Sequence, residues 1–70
     1  MSMLLKIYPT FGSRMNNEWE DLTAVVYNKS DLGKSPQHLI AKADRFCGLN
    51  SYYAYELYVD SYLIATKANV

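Results

Sequence analysis

The side chains that could do chemistry in this sequence are few and do not converge. His38 is the single histidine and Cys47 the single cysteine. If a helix starts at Ser35, His38 falls in its first turn, where the helix dipole disfavours an imidazolium and the spacing advertises no carboxylate partner. It reads as a solvent-facing helix residue rather than a general base or a metal ligand. Cys47 lies on the apolar side of the same segment, where a free cysteine behaves as a small buried hydrophobe, not an activated thiolate. A lone cysteine forms no intramolecular disulfide and no Cys or His pair stands at metal spacing, which points to the reducing cytoplasm. Glu18, Glu20 and Asp21 cluster, but an oxygen-ligand cation site needs more donors on a defined loop such as the EF-hand pattern, and that pattern is absent. No catalytic residue, metal site or cofactor is expected, and the chain is not expected to be an enzyme.

Side chains suited to contact are more plentiful. Trp19 sits between Glu18 and Glu20, an aromatic ringed by charge of the kind that anchors protein interfaces; the competing expectation is that the ring folds back into the core. Tyr52, Tyr53, Tyr55, Tyr58 and Tyr62 crowd one stretch, and in a strand they must alternate between two faces, so they cannot all be buried. Tyr52 and Tyr58 are expected on an exposed face together with Leu63. Tyrosine gives large contact area at low entropic cost, which makes this the most specific contact signal in the chain. A second set is basic: His38, Lys42 and Arg45 share one helical face at i, i+4, i+7, with Lys34 just before the N-cap. With exposed tyrosines, that stripe is the candidate for holding single-stranded nucleic acid; its plain alternative is a solvated helix face.

The elements that must position these residues follow from periodicity. Met3 to Tyr8 alternates as a strand, closed by Pro9. Thr10 to Asp21 shows no sustained period and reads as a long loop, a costly feature in a small domain and often a binding one. Leu22 to Tyr27 is β-branched and aromatic and reads as a second strand. Ser35 as N-cap and Pro36 at the first helical position open a helix with Leu39, Ile40, Ala43, Phe46 and Cys47 on one stripe and Gly48 as its stop. Tyr52 to Val59 and Tyr62 to Lys67 form a hairpin about Asp60-Ser61. That turn pairs Val59 with Tyr62, Leu57 with Ile64 and Tyr55 with Thr66. It sends Tyr55, Leu57, Val59 and Ile64 to the core side, and Glu56, Tyr58, Leu63, Ala65 and Lys67 to the other. The fold class is α+β, a single domain over residues 1–70 in the order β-β-α-β-β, one helix on one face of a four-stranded antiparallel sheet.

Composition narrows the function classes. Seventy residues with seven tyrosines and half the chain hydrophobic should fold, although so short a chain buries only about 60% of its unfolded surface. Seven Lys+Arg balance seven Asp+Glu, so no global field draws nucleic acid or an anionic membrane. No run approaches the roughly 18 apolar residues of a membrane span, and no leader pattern opens the chain. In size, in lacking catalytic residues and in its tyrosine-rich, charge-balanced character the chain resembles the small accessory proteins of phages and other mobile elements, anti-CRISPR-type inhibitors among them. That resemblance is one of kind and sits on no motif. The leading expectation is a cytoplasmic protein-binding inhibitor or adaptor using the open sheet face and the loop around Trp19, with a homodimer through a sheet edge as a further route to contact. The alternative is a small RNA- or DNA-binding module using the basic helix face.

Overall fold

The computed structural model describes residues 2–68. The chain runs β1 (Met3–Tyr8), α1 (Phe11–Met15), β2 (Glu20–Asp21), α2 (Thr23–Val26), a 3₁₀ turn (Lys29–Asp31), α3 (Pro36–Leu49), β3 (Ala54–Val59) and β4 (Tyr62–Ala68). The strands form one four-stranded antiparallel sheet in the order β2-β1-β3-β4, with α3 on one face, which is the expected α+β architecture. The seam is apolar: Leu39, Ala43 and Cys47 of α3 share a buried cluster with Leu5 and Ile7 of β1 and Tyr55 and Leu57 of β3. Ile40 and Phe46 flank that stripe and are only partly buried. No helix among the described residues is long and apolar enough to cross a membrane.

The helix begins as expected. Ser35 is the N-cap, its Oγ accepting from the His38 N–H at 3.4 Å, and Pro36 follows it. It ends later than expected. Gly48 stays helical, and the stop comes at Asn50 and Ser51, where the Ser51 N–H donates to Gly48 O at 3.2 Å and the Tyr52 N–H to Cys47 O at 3.0 Å. Those two bonds are a Schellman cap, and Ser51 takes the left-handed position at φ 55° that glycine usually fills.

Two segments depart from the periodicity. The expected loop over residues 10–21 contains a capped turn of helix, with Thr10 Oγ1 accepting from the Ser13 N–H at 3.0 Å, and then the short strand β2. The expected strand over Leu22–Tyr27 is instead the helical turn α2. Pairing along β1 continues as far as Leu22, whose N–H donates to Leu5 O at 3.1 Å. There the Thr23 hydroxyl replaces a strand: its Oγ1 accepts from the Leu5 N–H at 2.8 Å and donates to Asp21 Oδ1 at 2.6 Å, while the same carboxylate accepts from the Thr23 N–H at 3.1 Å. Side-chain bonds of this kind offer the backbone an alternative to the ladder and outweigh the weak strand preference of a β-branched run.

The hairpin turn at Asp60 and Ser61 holds, with both residues at positive φ, 50° and 71°, as a type I′ connection requires. Val59 pairs with Tyr62 and Tyr58 with Leu63. Beyond that the register departs from expectation. A bulge inserts Ile64, so Leu57 faces Ala65 and Tyr55 faces Lys67. Ala65 and Lys67 therefore move to the helix side: Ala65 packs against the core, and Lys67 Nζ comes within 4.0 Å of Asp44 on α3.

Because Leu57 is fully buried and Phe46 is not, their truncations should separate. Leu57→Ala is expected to cost about 2–5 kcal/mol, comparable with the whole stability of a domain this small, and Phe46→Ala clearly less. Urea unfolding followed by circular dichroism checks this ordering; equal losses would place Phe46 in the core.

Candidate functional site

The sheet face away from α3 is built by the alternate residues of the strands. Cross-strand pairing lays Leu4, Tyr58 and Leu63 in one row across β1, β3 and β4, and Lys6, Glu56 and Thr66 in the next. Trp19, just before β2, joins this face. Lys6 Nζ lies 4.5 Å from the centre of the Trp19 ring and 5.0 Å from that of Tyr58, so one ammonium bridges two aromatic rings. Each such contact on an exposed surface is worth about 0.5–1 kcal/mol and holds the rings in place. Trp19 remains 37% exposed and Leu63 49%. A depression lined by Leu4, Lys6 and Tyr58 from the sheet and by Ser2, Met3 and Ser61 at its end opens beside them.

The face is not bare along its whole length. Tyr8 points the same way yet is only 2% exposed, because α1 covers that end. The Arg14 guanidinium lies 4.9 Å from the Tyr8 ring centre and donates to Glu56 Oε2 at 3.0 Å. Glu56 Oε1 accepts from the Tyr8 and Tyr58 hydroxyls, both at 3.3 Å. Burial, and then the Glu56 charge, raise both phenols above their ordinary value, so they stay neutral donors.

Of the residues expected on this face, the structure brings Trp19, Tyr58 and Leu63 together. Glu18 stands exposed beside Trp19, but Glu20 does not belong to this face. It pairs with Ile7 in the β1–β2 ladder, and directly paired residues share a side, so it lies on the α3 side with the core residue Ile7. Tyr52 is not there: it precedes β3, packs against the core from the helix side and places its ring 5.8 Å from that of Phe46. Its position is set by the Schellman cap, which releases the chain on the α3 side before the strand begins. Glu56 lies on this face as the hairpin register implied, whereas Lys6, Leu4 and Arg14 are members that sequence reading missed. The alternation of Leu4 and Lys6 with Tyr8 was the available signal for the first two; Arg14 had none without α1.

The basic set divides. His38 Nε2 donates to Asp31 Oδ1 at 2.8 Å and Lys42 Nζ to Oδ2 at 2.8 Å, so His38 has a carboxylate partner and is not simply a solvent-facing residue. Asp31 is buried, and its Oδ2 also accepts from the Asn28 N–H at 2.9 Å in a capping box. The Lys42 ammonium, then the Asn28 N–H, then His38 hold this carboxyl well below the usual carboxylate range. Lys34 and Arg45 are exposed, and neither has an ion-pair partner among the described residues. Two of the four basic residues thus serve to fasten the 3₁₀ turn to α3. Cys47 is buried, and burial pushes its thiol up, away from thiolate chemistry. Among the described residues no three His, Cys, Asp or Glu side chains gather as a metal would require.

A carboxyl whose folded value lies below its unfolded value of about 4 stabilises the fold above that pH, and this contribution is lost as pH falls towards the folded value. Asp31→Asn should therefore lower the urea midpoint at pH 7, with the gap between variant and wild type narrowing from about pH 4 downwards. A gap of constant size across that range would show that the charge on Asp31 is not what holds the turn.

Comparison with protein-family models, with curated proteins and with solved structures gives no match.

Proposed function

We propose that this chain is a non-catalytic protein-binding module, an inhibitor or adaptor, that grips its partner with the sheet face opposite α3. The observation that carries the reading is the Trp19–Lys6–Tyr58 stack, set beside the row Leu4, Tyr58 and Leu63 and next to an open depression. Aromatic residues with fixed rings, centred in an apolar patch and edged by charge, are the usual composition of interface hot spots. Here the edge is supplied by Glu18 and the Arg14–Glu56 pair. The rings are held before any partner arrives, which lowers the ordering cost of association. A basic-face nucleic-acid reading draws less support, because Asp31 takes up Lys42 and His38.

The test is capture of a partner from the native cells by the tagged chain, with nuclease present, followed by titration of the purified pair with variants. Tyr58→Ala and Leu63→Ala should keep the fold and weaken capture by roughly 30-fold or more for the central tyrosine. Trp19→Ala should lose affinity with little loss of stability, since the ring lies on Lys6 rather than in the core. Wild-type capture by both strand variants would return this face to ordinary solvent-exposed surface, and a partner lost on nuclease treatment would favour nucleic acid instead.

A further inference from the structure

A second surface lies on the helix side of the molecule. Along α3, Lys42, Arg45, Phe46 and Leu49 fall at i, i+3, i+4 and i+7 and so share one helical face, adjacent to the core stripe but not part of it. Val25 and Val26 of α2 stand opposite, and the six residues line a groove of about 320 Å³. Its apolar walls are unusually open to solvent: Val25 is 68% and Leu49 74% exposed. The polar groups of the groove are both cations. Lys42 is tied from beneath by Asp31, and Asp44 faces the sheet, where it accepts from the Tyr55 hydroxyl at 2.6 Å and lies near Lys67. Arg45 is thus the uncompensated charge at the rim among the described residues.

We propose that this groove seats an acidic amphipathic helix of a partner protein, its aliphatic anchors entering between Val25 and Leu49 and its carboxylates meeting Arg45. The dimensions and spacing fit: the α3 face extends over two helical turns, the span over which a docked helix repeats its own i, i+4, i+7 anchors, and the volume takes a pair of aliphatic side chains. Charge complementarity selects the partner. A second copy seated groove to groove would bring two Arg45 guanidinia into one interface with no carboxylate in either lining to pair them. A nucleic acid would need stacking platforms and several phosphate contacts, whereas the walls are aliphatic and the Phe46 ring is already packed on Tyr52. The surface is separate from the Trp19–Lys6–Tyr58 face, so it stands whether or not that face binds.

The experiment titrates the full chain with two fluorescent helical peptides, one carrying leucines at i, i+4, i+7 flanked by glutamates and the other with every glutamate replaced by lysine. The glutamate peptide should bind saturably and about tenfold tighter than the lysine peptide at low salt. Arg45→Glu should invert that preference, Leu49→Ala should weaken the glutamate peptide roughly fivefold, and Tyr58→Ala should leave it unchanged. Arg45 and Leu49 are both exposed, so circular dichroism should show the fold intact in these variants. No saturable binding, or equal affinity for the two peptides, overturns the proposal. So does Arg45-dependent displacement of the peptide by a single-stranded oligonucleotide, or self-association in the ultracentrifuge that Leu49→Ala abolishes, which would make a second copy the occupant.

Discussion

The seam between α3 and the sheet is the contact on which the rest of the molecule depends. Leu39, Ala43 and Cys47 meet Leu5, Ile7, Tyr55 and Leu57, and apolar burial of this kind is the main driving force available to so short a chain. A single helix covers a single face. The opposite face must then be roofed by other means or left to solvent, and this protein does both: α1 closes the end over Tyr8, while the row Leu4, Tyr58 and Leu63 stays accessible. The proposed binding face is what remains of that division.

Around the seam, polar side chains hold segments that have little regular structure of their own. The Tyr27 hydroxyl donates to Leu39 O, and burial, with the Asp31 and Asp44 charges behind it, pushes that phenol up to about 12, so it stays a donor. The Tyr55 hydroxyl donates to Asp44, and Asp31 gathers Asn28, His38 and Lys42. Among the described residues no buried side-chain nitrogen or oxygen lacks a partner. A chain running from Leu22 to Lys34 without a strand can therefore be fixed against the sheet and helix by hydrogen bonds that each replace one made to water.

The two sides differ in character. The sheet face is aromatic with its one ammonium shared between rings, and its charges are paired through Arg14 and Glu56. The groove beside α3 is aliphatic with an unpaired guanidinium at its rim. Because the net charge is zero, such local differences and not a global field would decide which partner approaches which side.

The local signals in the sequence were sufficient for the elements whose residues speak for themselves. Period-two alternation placed β1, Ser35 and Pro36 placed the start of α3, the apolar stripe placed its buried side, and Asp60-Ser61 placed the hairpin turn even without glycine. The α+β class follows from these alone, as do Tyr58 and Leu63 on the open face, since a tight turn fixes the first pairs of a hairpin. Other features were decided only when distant segments met. Leu22 to Tyr27 has the composition of a strand, but the Thr23 hydroxyl found Leu5 and Asp21, and the chain turned into a helix. The bulge at Ile64 moved Ala65 and Lys67 to the helix side, where the core and Asp44 receive them. Tyr52 was drawn to Phe46, Tyr8 was covered by α1, and His38 and Lys42 were turned from a basic stripe into the partners of Asp31. In every one of these cases the deciding atom lies far along the chain, and periodicity reports which face a residue prefers, not which side chain will be waiting there.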